Sequence, residues 1–207
     1  MKNIKFSKVI LGLAVTSAFV FANGDLKTLE KECENGVVKS CNLAGGQYYN
    51  GSFEAKQDYE KALKYFTKAC EAKEDSEDKF SSCFQLGNMY FFDQGVEKNP
   101  KKAVELYKKA CDGKEGYGCD GLAVAYYNGI GVKKDEVKAT AMFRNYCDEN
   151  NRVFSCNMFA TIIENSDKQK ALIYYKKACD IGKNDIKQLI VGKEVWQDSC
   201  NKYEILK

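Results

Sequence analysis

The sequence predicts an all-α protein assembled from helix–turn–helix repeats. Three observations predict it. Ten cysteines recur to a rule, as consecutive couples at Cys33 and Cys41, Cys70 and Cys83, Cys111 and Cys119, Cys147 and Cys156, and Cys179 and Cys200. A stretch that starts at the second cysteine of four couples repeats one pattern of apolar, small and large residues. A second stretch, ending on the first cysteine of the next couple, repeats an alanine–aromatic stripe at the helical period.

The chain opens on a targeting segment. Lys2, Lys5 and Lys8 form a positive region, Val9 to Phe21 is apolar and uncharged, and Val20 and Ala22 are the small residues of a cut after Ala22. This is the secretory pattern, and the apolar run is short for a membrane span of ~20 residues. No cysteine follows the cut directly, which argues against a lipid anchor. Residues 1–22 are therefore expected to be a cleaved signal peptide, and the protein to be exported, periplasmic or secreted, with no membrane association afterwards. Losing three of 32 basic residues leaves 29 against 29 acidic ones. No basic stripe remains to bind nucleic acid.

Residues 25–40 read as a half repeat closing the N-terminal end. Four repeats follow, at about 41–82, 83–118, 119–155 and 156–183. Each opens with a helix A: Cys41 to Tyr48, Cys83 to Tyr90, Cys119 to Tyr126 and Cys156 to Ile163. The fourth position is apolar (Ala44, Leu86, Leu122, Phe159), the fifth small (Gly45, Gly87, Ala123, Ala160) and the eighth large (Tyr48, Tyr90, Tyr126, Ile163). Positions i and i+4 share a face, and the small residue lets another helix approach. A glycine loop comes next, carrying Gly51, Gly95-Val96 or Gly131-Val132. Helix B follows, with Ala62, Ala103, Ala139 and Ala171 each eight residues before a cysteine and Phe66, Tyr107, Phe143 and Tyr175 four after each alanine. Pro100 stands at the start of its helix B, where proline fits. Two departures break the rule. Glu71 to Lys79 is an acidic insertion that stretches one couple, and the fourth repeat has a short A–B loop without the Gly-Val element. Residues 184–207 read as a C-terminal capping helix bearing Trp196.

An even number of cysteines in an exported chain implies disulfides, though spacing alone leaves the pairing open; the repeat register narrows it. No Cys-x-x-Cys occurs, which argues against a thioredoxin-like site. The chain has no histidine, which excludes mixed Cys/His zinc sites. A four-thiolate zinc site stays open but fits export poorly. No metal or cofactor is expected.

Leu-Gly-x-x-Tyr, Gly-x-Gly-Val, Lys-Ala-x-x-x-Tyr/Phe and Ala-Cys recur together over nearly all of residues 25–204. This pattern resembles the Sel1-like repeat family, a relative of the tetratricopeptide repeat. With its cysteine couples the chain is similar to the Helicobacter cysteine-rich protein family. The resemblance implies an α-solenoid of stacked hairpins, with disulfides from helix B of one repeat to helix A of the next: Cys33–Cys41, Cys70–Cys83, Cys111–Cys119, Cys147–Cys156 and Cys179–Cys200. Each short ring is worth about 2–3 kcal/mol on the chain-entropy account. Cys179–Cys200 has the longest gap and is the least secure of the five.

A solenoid normally binds on its concave face, which helix A lines in the related tetratricopeptide repeats. Positions 2, 6, 9 and 10 of each helix A share one side. The candidate binding residues among them are Asn42, Tyr49 and Asn50; Phe84, Asn88, Phe91 and Phe92; Asp120, Tyr127 and Asn128; and Asn157 and Glu164. Gly46, Val124, Thr161 and Asn165 fill the remaining places. Amides can pair with a peptide backbone while rings cover apolar side chains. The expected partner is a protein or peptide segment or a peptidoglycan fragment, taken by a monomer.

Catalysis has thin support. Without histidine there is no Ser-His-Asp triad, Cys-His dyad or His-Glu-x-x-His site. Members of the Helicobacter cysteine-rich family are named as β-lactamases and described as binding penicillins, so the resemblance implies a second reading, a β-lactam binder or slow hydrolase. The serine-enzyme motif Ser-x-x-Lys occurs at Ser76–Lys79 and Ser199–Lys202, but neither Ser-Asp-Asn nor Lys-Thr-Gly accompanies it. Catalytic residues stay unassigned.

Overall fold

The computed structural model describes residues 25–184 and 186–207, with side chains described outside 185–192. The expected signal peptide, residues 1–22, lies outside the described residues. Ten helices and no strand make up the described chain: α1 Leu26–Glu34, α2 Val38–Asn50, α3 Tyr59–Cys70, α4 Glu77–Phe92, α5 Pro100–Asp112, α6 Gly116–Asn128, α7 Glu136–Asn150, α8 Val153–Ile163, α9 Lys168–Asn184 and α10 Ile186–Leu206. Even-numbered helices are A helices and odd-numbered ones are B helices.

Each B helix starts on an acidic or amide cap. Asp58, Asn99, Asp135 and Asp167 accept a hydrogen bond from the N–H of Lys61, Lys102, Lys138 and Lys170, at 2.8–3.0 Å. Such a cap satisfies one of the donors a helix leaves open at its N-terminus and contributes about 1 kcal/mol. The same cap residues tie B back to A. Their own N–H groups donate at 2.8 Å to the carbonyls of Tyr48, Tyr90, Tyr126 and Ile163, the eighth position of the preceding A helix. The long loops and the short one of the fourth repeat therefore close on one backbone bond.

The alanine–aromatic stripe of each B helix is buried. Ala62, Ala103, Ala139 and Ala171 are sealed from solvent, as are Tyr107, Phe143 and Tyr175, and Phe66 is nearly so. The small fifth position of helix A is what these rings need. A Cβ on Gly45 would lie 2.7 Å from the Phe66 ring, and one on Gly87 2.7 Å from the Tyr107 ring.

All five couples are disulfides in the expected pairing, with Cα atoms 4.5–4.8 Å apart. They join α1 to α2, α3 to α4, α5 to α6, α7 to α8 and α9 to α10. Cys179–Cys200 pairs like the others despite its separation of 21 residues. The terminal helix starts at Ile186 and packs on α9 and α8, so it stands where a fifth helix A would. Its Trp196 ring covers Gly182, and its indole N–H donates to Cys179 O at 2.8 Å.

The described residues divide into two compact units. One comprises residues 25–122 with Ile130–Val132, the other Ala123–Gly129 with Lys133–Lys207. The core of the first includes Leu29, Tyr48, Phe66, Met89 and Tyr107. The second is built on Phe143, Val153, Phe159 and Tyr175, with Trp196 and Tyr203 packed against them.

Candidate binding face

In the first unit the face is carried by α2 and α4. Asn42, Asn50 and Phe92 are half-exposed, while Tyr49, Phe84, Asn88, Phe91 and Asp120 are buried. Asn88 is 1% exposed and accepts the Tyr107 hydroxyl at 2.8 Å. Tyr49 donates its hydroxyl to Gln94 Oε1 at 2.9 Å and packs its ring on Tyr59 and Phe66. Phe84 lies between the rings of Tyr107 and Tyr117. The carbonyl of Gly46 accepts the Asn50 amide at 3.2 Å.

In the second unit Tyr127, Asn128 and Glu164 are half-exposed and Asn157 is buried. The Asn128 amide donates to Val124 O at 3.1 Å, the same bond to its own helix that Asn50 makes. Glu164 accepts the Tyr175 hydroxyl at 2.7 Å and the Lys202 ammonium at 2.8 Å.

Six of the twelve expected surface residues are thus interior side chains: Tyr49, Phe84, Asn88, Phe91, Asp120 and Asn157. Within a unit an A helix touches its own B helix and also neighbouring A helices, α2 with α4 and α8 with α10. The side at position 2 meets a neighbour rather than solvent. Apart from Asn42, the half-exposed candidates stand at the C-terminal ends of their own A helices: in the first unit Asn50 on α2 and Phe92 on α4, in the second Tyr127 and Asn128 on α6 and Glu164 just past α8.

The neighbour contact at position 2 is a hydrogen-bonded rung. Asn42 on α2 donates to Asp78 at 2.9 Å and accepts the Ser82 hydroxyl at 2.9 Å, both on α4. Asn157 on α8 donates to Asp198 at 3.1 Å and to the Ser199 hydroxyl at 2.8 Å, both on α10. Each serine directly precedes a cysteine. Ser40, Ser82, Ser155 and Ser199 all do so, and all four are buried. Where α4 meets α6 the rung is absent from the sequence: position 2 is Phe84 and the residue before Cys119 is Gly118, whose added Cβ would lie 2.5 Å from the Ala110 Cβ. At Ser82 and Ser199 the Ser-Cys dipeptide marks this device, whereas Ser40 donates to Glu32 on α1.

Both Ser-x-x-Lys motifs are part of this framework. Ser76 is the N-cap of α4 and accepts the Lys79 N–H at 3.2 Å, while the Lys79 ammonium pairs with Asp75 at 2.8 Å. Ser199 is sealed from solvent and donates to Val195 O at 2.8 Å, and Lys202 pairs with Glu164. Among the described residues neither serine hydroxyl bonds its motif's ammonium, the contact an activated nucleophile needs.

Buried phenols dominate the electrostatics. Burial, then the Glu30 carboxylate it donates to, pushes the Tyr48 hydroxyl up to about 12. Tyr65 rises for the same two reasons, and Tyr107 and Tyr175 rise mainly through burial. These groups stay protonated donors at neutral pH and cannot serve as bases there.

A family model of the Sel1 repeat matches residues 38–73, 81–114, 116–151 and 161–183, more than half of the chain. The chain belongs to the Sel1 repeat family. The first three matches each span one A helix and the B helix after it. The fold is similar to that of a Sel1 repeat protein from Oxalobacter formigenes, with a TM-score of 0.70 at 20% identity over 88% of this chain and 75% of that one. The cysteine-rich protein B of Helicobacter pylori is 27% identical over 66% of this chain and 98% of its own, with a TM-score of 0.46. A third relative, HcpC of Helicobacter pylori strain J99, carries beta-lactamase in its name and is 51% identical over 47 residues. That match spans 23% of this chain and only 14% of HcpC. The Sel1 fold is suited to protein binding, and five disulfides fit an oxidising compartment.

Proposed function

We propose that this protein is exported by its N-terminal segment and acts as a monomeric binding protein whose A-helix face takes up a protein or peptide segment, or a peptidoglycan fragment. The observation that carries this reading, in each unit taken by itself, is half-exposed polar and aromatic groups at the ends of helices that disulfides hold in place: Asn50 and Phe92 in the first unit, and Tyr127, Asn128 and Glu164 in the second. A face fixed before binding loses little conformational freedom when the partner arrives, which favours affinity without a large contact area. Amide and ring side by side suit an extended chain, the amide reading backbone and the ring covering an apolar side chain.

Photo-crosslinkers placed at positions 92 and 127 of the native chain, followed by identification of the crosslinked peptide, test the proposal. Recovery of one partner, with binding weakened about tenfold or more by Phe92→Ala or Tyr127→Ala, supports it, as expected of an interface hot spot. Binding unchanged in both variants refutes the A-helix face.

The short match to HcpC favours a second reading, a β-lactam binder or slow hydrolase. The structural duties of Ser76 and Ser199 weigh against it. Incubation with a chromogenic β-lactam decides the matter: the absence of both turnover and acylation would remove the β-lactamase reading, and turnover surviving Ser76→Ala and Ser199→Ala would reject both serines as nucleophiles.

A further inference from the structure

Two Asn-Gly dipeptides close A helices. Asn50-Gly51 ends α2 and Asn128-Gly129 ends α6. Both glycines have a positive φ, 73° and 70°. Both asparagine amides donate to the carbonyl four residues back, at 3.2 and 3.1 Å. The two sites differ in how the glycine nitrogen is held. The Gly129 N–H donates to Ala125 O at 2.9 Å, whereas among the described residues the Gly51 N–H makes no hydrogen bond.

That nitrogen is the nucleophile in the chemistry open to an Asn-Gly pair. It loses its proton to solvent base and attacks the asparagine Cγ. The new N–Cγ bond closes a succinimide ring, and the bond to the side-chain nitrogen breaks to release ammonia. One water then opens the ring to aspartate or isoaspartate. Glycine hinders the approach least because it carries no Cβ. A proton held by a carbonyl is harder to remove, so the engaged nitrogen is the poorer nucleophile.

We infer that Asn50 is a self-modification site of the native chain and that the Gly129–Ala125 bond protects its sequence twin, Asn128. The product is a carboxylate at the C-terminal end of α2, where the helix dipole opposes negative charge, and the donor to Gly46 O is lost. Isoaspartate also lengthens the backbone beside a loop tied down by Asp58 N–H to Tyr48 O at 2.8 Å and Gln57 Nε2 to Tyr49 O at 2.9 Å. The modification thus changes charge and backbone path at one end of the A-helix face. The inference stands on these atoms and not on the binding proposal.

The test incubates the native full chain at mildly alkaline pH and follows both dipeptides by peptide mapping, reading the one-dalton gain and isoaspartate. The reduced, denatured chain, where neither nitrogen is held, sets the reference ratio of the two rates. The native ratio of Asn50 to Asn128 conversion is expected to exceed the reference by about fivefold, the factor one net hydrogen bond is worth. A native ratio at or below the reference overturns the inference. So does an Asn50 that stays intact in the native chain while the denatured chain converts.

Discussion

Asn42 on α2 and Ser82 on α4 share a hydrogen bond of 2.9 Å across two consecutive A helices, and Asp78 takes the other end of the same amide. Ser82 is sealed from solvent. Truncating Asn42 to Ala strands its hydroxyl, a loss of about 1–3 kcal/mol. In a double-mutant cycle with Ser82→Ala by denaturant unfolding, the two residues should couple by about 0.5–3 kcal/mol. Strict additivity would mean that the rung carries no energy. The same cycle on Asn157 and Ser199 should give the same sign.

Adjacent glycines of α2 should respond in opposite directions. Gly45→Ala drives a Cβ to 2.7 Å from the Phe66 ring, whereas a Cβ on Gly46 meets nothing within 4 Å. The first change should destabilise by about 1–3 kcal/mol through overpacking. The second should stabilise by about 0.5–1 kcal/mol, the helix cost of glycine against alanine. Thermal melts of the two variants read the contrast directly.

The contrast also marks what was legible in the sequence. The fifth-position glycines and the alanine–aromatic stripe announced one A–B contact per repeat, and the structure has it at Gly45 with Phe66 and at Gly87 with Tyr107. Cysteine pairing followed from the resemblance and holds in all five couples. The exposure of the candidate residues was only partly legible: six of the twelve are half-exposed and six are buried. A periodic stripe reveals that a helix has a face but not which neighbour covers it. Asn88 reads as a surface amide until Tyr107 is seen donating into it, and Asn42 until Ser82 is seen beside it. The aspartate and asparagine caps of the B helices stand three residues before the Lys-Ala motif, a spacing that does not by itself show a side chain turned back to accept the lysine N–H.

Removing one cap tests the B-helix start. Asp135→Ala deletes the acceptor of the Lys138 N–H while leaving the Asp135 backbone bond to Tyr126 O in place. Stability should fall by about 1 kcal/mol. Asp135→Asn should retain most of it, since Asn99 fills the same role on α5.

Alkaline pH should unfold the chain from the tyrosines. A phenol held above its ordinary 10.0 in the fold adds stability that is complete below pH 10 and is lost as pH rises. For Tyr48 the loss runs from about pH 10 to about 12. Tyr65, Tyr107 and Tyr175 act in the same direction. Brief-exposure denaturant titrations should show stability level to about pH 10 and declining beyond it. Stability constant to the top of that window would contradict the buried phenols.

The ten cysteines are mechanical joints, each couple fastening a B helix to the A helix that follows. Peptide mapping of the native, unreduced full chain by mass spectrometry, after alkylation under denaturing conditions, tests this most directly. Five linked peptides are expected, Cys33–Cys41, Cys70–Cys83, Cys111–Cys119, Cys147–Cys156 and Cys179–Cys200, and no alkylated cysteine. An alkylated thiol, or a linkage that crosses from one couple to another, would contradict that pairing.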